Sequence, residues 1–379
     1  MNKNVIGVEI SGIRKFFNEV VKYPDAISLT LGQPDFSVPK RVKDAMIRAI
    51  EEGKTTYTAN AGIVELREEI SNLLKNNFDI NYNKDEIIIT VGGSEGLYAA
   101  MTAVLNPGDK VLVPSIAYPA YESISKILGC EVINYELNED FSVNIDSLKD
   151  GIAKGGKLLI LSYPCNPTGA LLSEESKDEL IEIIRENDIL ALTDEIYSSL
   201  CFEGEYQSVA QCADIKDKII YVSGFSKMFS MTGLRIGYVA CVKELYDQII
   251  KVHQYNASCA TSIAQWGALE GLKSCMSEVE SMKESFKERM NFTYKRLVEM
   301  GLDVEKPKGA FYIYPNISKF GLSSEEFCKK LLSEGGVACV PGDAFGKGGE
   351  GYLRISYCYS MNELEKAMDA LEKFIDKLA

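Results

Sequence analysis

From about residue 85 to residue 241 the chain alternates short apolar runs with amphipathic stretches. The runs are EIIITV (86–91), KVLVP (110–114), EVINY (131–135), KLLILS (157–162), ILALTD (189–194), KIIYVS (218–223) and LRIGYVAC (234–241). Between them the spacing predicts helices such as Ser94–Leu105, Tyr118–Leu128 and Ser173–Asn187. The last opens on Ser-Glu-Glu-Ser, an N-cap serine with acids in its first turn. Continuous apolar strands with helical connections predict a mainly parallel sheet covered on both faces, an α/β fold.

After about residue 243 the pattern changes. A long helical region runs towards Met300, interrupted by polar and small residues near Lys251–Thr261. Strands are expected at Gly309–Tyr314, Val337–Val340 and Gly351–Tyr357, with helices at Ser323–Glu334 and Asn362–Leu378. This is a smaller α+β module, and the first 45 or so residues are expected to pack against it. No repeat, linker or low-complexity tract interrupts the chain.

Composition narrows the chemistry. At 379 residues, two domains are expected at about 150 residues each. The chain has one histidine, His253, so no multi-histidine metal site can be built and a serine–histidine triad would have to use that residue. His253 falls outside every motif and is assigned no role. Proton transfer is left to lysine, tyrosine or carboxylates. The formal net charge of −14 argues against nucleic acid as a partner but not against a small anion held by a few placed cations. Ten scattered cysteines without a C-x-x-C pair read as reduced thiols of a cytoplasmic protein. No run of eighteen apolar residues could span a membrane, and the N-terminal MNKNVIGVEISGIRKFF lacks the apolar core of a secretion signal.

Unusual residues gather at the carboxyl ends of the strands, where ligands of open α/β sheets bind. Thr90-Val91-Gly92-Gly93-Ser94-Glu95-Gly96 joins a strand to a helix, and its glycines let backbone N–H groups approach an anion, best a phosphate. The same pattern also suits an ordinary turn. In Ser162–Gly169 two prolines fix the backbone around Asn166, though a plain loop reads the same way. Asp194 ends an apolar strand, where a carboxylate wants a cationic or N–H partner or caps a helix. Lys227 lies among apolar and small residues just past a strand, where desolvation makes a nucleophilic amine available for a Schiff base. Arg235, eight positions on, suits a phosphate fork. Arg354 shares one face of its strand with Tyr352 and Ser356, either exposed or placed to clamp a carboxylate. An amine at Lys227, a phosphate site at Gly93, Ser94 and Glu95, and an acid for a ring nitrogen at Asp194 together suit pyridoxal 5'-phosphate.

The chain resembles the class I/II aminotransferases of the fold-type I pyridoxal-phosphate enzymes, in particular the aspartate aminotransferase-like subgroup. The resemblance rests on LGQPDF (31–36), TYTANAG (56–62), TVGGSEGL (90–97), NPTG (166–169), DEIY (194–197), FSKMFSMTGLRIGY (225–238), KGAFYIYP (308–315) and YLRISY (352–357). It implies a three-layer architecture with a large cofactor-binding domain (46–290) and a small domain made of 1–45 and 291–379. It further implies that Lys227 holds the cofactor and shuttles the α-proton, with Asp194 paired to the pyridine nitrogen. Tyr197 and Asn166 would hydrogen-bond the ring hydroxyl oxygen, and Tyr118 would stack on the ring. Gly93, Ser94, Glu95 and Arg235 would bind the phosphate. Tyr57 would reach the cofactor phosphate of a neighbouring subunit, implying a homodimer with shared sites. Arg354 would clamp the substrate α-carboxylate, with Gly32, Tyr118 and Asn166 beside it. Three positions before the lysine, where many relatives carry serine, this chain has Gly224, which leaves Ser223 or Ser226 to compensate.

The implied reaction moves an amino group between an L-amino acid and a 2-oxo acid in a ping-pong cycle through pyridoxal and pyridoxamine phosphate. A C–S β-lyase on the same cofactor is the alternative; those lyases typically carry a histidine in the turn where this chain has Pro164-Cys165-Asn166-Pro167. A non-catalytic regulator would need an added DNA-binding domain, for which no residues are spare. No motif fixes the donor among aspartate, alanine, methionine and aromatic amino acids.

Overall fold

The structure, a computed structural model, describes residues 1–378. All seven apolar runs form strands of one sheet: β1 (Ile87–Thr90), β2 (Lys110–Pro114), β3 (Glu131–Tyr135), β4 (Gly156–Leu161), β5 (Leu190–Asp194), β6 (Ile219–Gly224) and β7 (Gly237–Ala240). Their order is β1-β7-β6-β5-β4-β2-β3. The alternation of side chains explains why the inner strands are largely apolar, while the edge strand β3 leaves Glu131 and Asn134 exposed. Ile88, Val111, Val113, Leu158, Ile160, Leu192 and Val222 enter one core, while Ile89, Leu112, Leu159, Leu161, Ala191 and Tyr221 enter another on the opposite face.

The sheet is mixed in one place. β7 runs antiparallel to both of its neighbours, β1 and β6. Only the short helix Phe225–Met228 and the turn Thr232–Leu234 separate β6 from β7. Consequently Thr90 and Gly224 both face Gly237 at the same edge of the sheet.

The helices follow the expected pattern with local differences. Ser173 caps Glu174–Glu186 by accepting from the Ser176 N–H. The long helical region is three helices, Lys243–Ala257, Ser262–Ser274 and Met276–Glu299, with a second break at Cys275 that composition does not mark. The expected strand Val337–Val340 divides at Cys339: Val337–Ala338 pairs with Ile27–Ser28, whereas Val340–Pro341 pairs with Leu353–Ser356. The helix expected over Ser323–Glu334 is α-helical only over Ser324–Lys330 and widens into a π turn at Leu331–Gly335.

A third core joins Phe16, Val20 and Leu29 to residues from Met282 to Ile375. Helix Lys40–Glu51 packs on Ser262–Ser274, and its Val42 enters the sheet-side core. Between Val279 and Met282 the helix Met276–Glu299 passes from one core to the other. Among the described residues no helix is long and apolar enough to cross a membrane, and all ten cysteines are unpaired.

Candidate active site

A cavity of about 350 Å³ opens at the carboxyl edge of β4, β5 and β6. Gly32, Gly93, Ser94, Tyr118, Asn166, Asp194, Tyr197, Lys227, Arg235 and Arg354 all line it, brought together from segments as far apart in the chain as Gly32 and Arg354.

The anion end is built by close packing. Helix Gly92–Val104 has no side-chain cap at Val91, so the N–H groups of its first turn are left for a ligand. Gly92 takes a φ of +75°, and a Cβ there would meet the Arg235 guanidinium at 2.6 Å. Arg235 itself is left-handed, with φ +52°, and its Nη1 donates to the Thr232 carbonyl at 3.0 Å. This uncommon backbone conformation folds the guanidinium back over the helix start. Behind it a Cβ on Gly237 would lie 2.7 Å from the Gly93 nitrogen, and one on Gly224 would lie 2.7 Å from the Gly237 Cα. Gly224 is therefore a packing requirement of the β6–β7 crossing. Of the two serines beside it, Ser226 lines the cavity, whereas Ser223 Oγ donates to the Glu195 carbonyl at 2.9 Å.

At the floor, the Asp194 carboxylate accepts from the Tyr121 hydroxyl at 2.8 Å and from the Ile196 N–H at 3.3 Å. Burial raises its pKa to about 6 despite both donors. Across from it, the Lys227 amine donates to the Gly32 carbonyl at 2.6 Å. Burial, with Arg354 and Arg235 nearby, brings its pKa down to about 8. The Tyr197 and Tyr312 hydroxyls share a hydrogen bond of 2.8 Å.

Arg354 is 2% exposed, which removes the reading of a solvent-facing arginine on a half-wet sheet. Its Nη1 donates to Asn166 Oδ1 at 2.8 Å and its Nη2 to the Thr30 carbonyl at 2.7 Å, and the guanidinium lies over the Tyr312 and Phe345 rings. Its Nε is buried without a partner. A fixed fork in this setting is matched to a carboxylate.

Two expected members stand apart. The Glu95 carboxylate turns out of the cavity, accepting from the Val91 N–H at 3.2 Å and facing His253 Nδ1 at 3.1 Å, so only its backbone can serve an anion. His253, set aside on sequence grounds, is therefore fully buried directly behind the helix start, with its Nε2 3.0 Å from the Asn60 carbonyl. Tyr57 does not line the cavity of its own chain and is 86% exposed. Sequence reasoning missed Tyr121, Tyr312, Ile196, Ile13 and Arg14, all of which line the cavity. Tyr312 lies inside a quoted motif and Tyr121 inside the expected helix Tyr118–Leu128, but only their long-range hydrogen bonds mark them out.

These residues fit pyridoxal phosphate in their donor chemistry: an amine of depressed pKa, a buried carboxylate, an uncapped helix start beside an arginine, and a cradle that a Cβ would fill. The profile of the aminotransferase class I and II family matches residues 24–371. A probable N-acetyl-LL-diaminopimelate aminotransferase of Bacillus subtilis (strain 168) is 44% identical over 379 residues, covering 100% of this chain and 96% of its own. An aspartate aminotransferase of Pyrococcus abyssi is 40% identical over 97% of this chain and 96% of its own. The solved aspartate aminotransferase of Thermus thermophilus with maleate superposes with a TM-score of 0.94 at 32% identity, covering 99% of both chains. The family uses pyridoxal phosphate, and amino-group transfer is the reaction these relatives are named for. With this fold and this match along nearly its whole length, the chain belongs to the class I and II aminotransferases.

Proposed function

We propose that the cavity binds pyridoxal 5'-phosphate and that Lys227, Asp194 and Arg354 use it to move an amino group between an L-amino acid and a 2-oxo acid. The observation that carries this reading is the convergence, in one cavity, of an amine lowered to about 8 and a carboxyl raised to about 6. Such opposed shifts mark groups adapted to proton and charge transfer. Bound pyridoxal phosphate supplies the carbonyl carbon that accepts the amino group and a ring that spreads the α-carbon electron pair.

The chain's own groups do the rest. The N–H groups of Gly93, Ser94 and Glu95, with Ser226 and Arg235, hold the phosphate. Asp194 keeps a proton on the ring nitrogen. Tyr197, fixed by Tyr312, and Asn166, fixed by Arg354, orient the ring hydroxyl oxygen, while Tyr118 covers the ring face. Arg354 takes the α-carboxylate of donor and acceptor alike, which aims the Cα–H bond at Lys227. Lys227 Nζ would accept the Cα proton and pass it to the carbon that receives the amino group, and carry a proton the opposite way when the 2-oxo acid is the partner. Residues 46–290 make the cofactor-binding domain, with 1–45 and 291–379 forming the small one. The exposed Tyr57 supports a homodimer in which each copy completes the other's phosphate site. The ten unpaired cysteines suit the cytoplasm.

The test is a spectrum followed by a donor screen. Protein saturated with pyridoxal phosphate should be yellow, and Lys227→Ala should lose the visible band and about ten-thousandfold or more in kcat. With 2-oxoglutarate as acceptor, at least one amino acid should yield glutamate. A wild-type protein that stays colourless with added cofactor refutes the reading. Release of ammonia and a thiol from a cysteine conjugate, without any glutamate formed, identifies a C–S β-lyase instead.

A further inference from the structure

Four cationic side chains line the cavity, Arg14, Lys227, Arg235 and Arg354, against one carboxylate, Asp194. The reading above, on which this inference rests, employs every one of them except Arg14. Among the described residues Arg14 makes no side-chain hydrogen bond and no ion pair, although its neighbour Lys15 pairs with Glu9. A cation left without a partner at the mouth of a binding cavity is available to a ligand anion.

Its place in the fold says which part of a ligand it meets. Helix Gly12–Val20 is fastened to the small body by Phe16 and Val20, which enter that core. At its start Gly12 approaches Ala344 so closely that a Cβ would lie 2.8 Å from the Ala344 Cβ. Ile13 packs against the small cluster that contains Phe345 and Val340. Phe345 carries the Arg354 guanidinium on its ring at 4.8 Å, and Val340 is the register partner of Arg354. Arg14 thus reaches the cavity from a helix whose preceding residue packs against the cluster of Phe345, the ring beneath the Arg354 guanidinium. Arg235 reaches it from the opposite element, over Gly92.

We propose that Arg14 pairs with the second carboxylate of a dicarboxylic substrate and so determines specificity. A substrate whose α-carboxylate lies in the Arg354 fork would direct its side chain along Ile13, with its distal anion at Arg14. The two arginines differ in character. Arg354 is buried and rigid and serves every substrate, whereas Arg14 is exposed and unengaged and serves only those with a second anion.

The experiment compares two non-reacting probes of similar length, succinate and butyrate, by calorimetric titration of cofactor-saturated wild type, Arg14→Gln and Arg14→Lys. Wild type should bind succinate at least tenfold more tightly than butyrate. Arg14→Gln should weaken succinate about tenfold or more and move butyrate less than twofold, with Arg14→Lys between. The ratio of kcat/KM for aspartate or glutamate to that for alanine should fall in parallel. Equal binding of the two probes by wild type, an unchanged succinate affinity in Arg14→Gln, or equal weakening of both probes overturns the proposal. An unchanged Tm in Arg14→Gln separates ligand recognition from loss of helix docking. Failure of the cofactor reading is distinct, because it shows as a missing visible band, and the same titrations can then be made on the bare protein.

Discussion

The hydroxyl of Tyr121 donates to the Asp194 carboxylate across 2.8 Å at the floor of the cavity. It is the largest influence opposing burial, which by itself drives the carboxyl towards its neutral form. Tyr121→Phe should therefore raise the Asp194 pKa beyond about 6. At neutral pH the cofactor should bind about tenfold more weakly to the variant, and the fall in affinity on acidification should begin at a higher pH. Absorbance titration of the bare protein across a pH series measures both, and matching profiles for variant and wild type would contradict the role given to Tyr121.

The same carboxyl makes the empty site costly. Its folded pKa of about 6 lies above its ordinary 3.8, so its stabilising contribution is complete below about pH 4 and is lost as the pH rises through about 6. The loss amounts to about 3 kcal/mol. Cofactor-free Asp194→Asn should consequently melt above wild type at about pH 8, with the advantage vanishing near pH 4, while its transamination collapses. Thermal unfolding at the two pH values checks this.

Lys227 must lose a proton before it attacks a carbonyl carbon, and burial has brought its pKa to about 8. The rate at which the bare protein captures pyridoxal phosphate should climb with pH and level off above about 8. Stopped-flow absorbance would follow it. A rate independent of pH on both sides of that value would place the nucleophile elsewhere.

Arg354 is held by Asn166 and the Thr30 carbonyl as a planar fork, and a lysine keeps its charge without its geometry. Arg354→Lys should raise KM for both donor and acceptor by about tenfold to a hundredfold, with kcat reduced less. Steady-state kinetics on an amino acid and a 2-oxo acid decide it, and an effect confined to one of the two would remove Arg354 as their shared clamp.

Gly237 has no room for a methyl group: an added Cβ would lie 2.7 Å from both the Gly92 carbonyl carbon and the Gly93 nitrogen. Gly237→Ala should cost about 1–3 kcal/mol of stability and loosen the phosphate cradle. Calorimetric melting together with cofactor affinity reports both effects, and a variant with wild-type values would show that the helix start can move.

Much of this could be read along the chain, for identifiable reasons. Both faces of the large sheet are covered, so its inner strands read as apolar runs, and Asp194 at the end of one and Lys227 just past another stand out. What stayed hidden depends on partners distant in sequence. Tyr312 becomes distinctive only against Tyr197, 115 positions away, and Tyr121 only against Asp194, 73 positions away. His253 looks unremarkable until the fold brings Glu95 and Asn60 to either side of it. The antiparallel course of β7 and the division at Cys339 are decisions of topology, which local periodicity does not encode. Arg14 lies on an amphipathic helix like many others, and only the docking of that helix gives it a place at the cavity.

The crossing of Gly224 and Gly237 against the start of helix Gly92–Val104 leaves no slack in the floor of the cavity. A floor packed this closely tolerates few added atoms, whereas the rim carrying Ile13 and Arg14 rests on the packing of a short helix. Novelty in this scaffold is therefore inexpensive at the rim and prohibitive at the base. Chains that share such a base can diverge in the amino acids they accept while leaving untouched the apparatus that handles the amine.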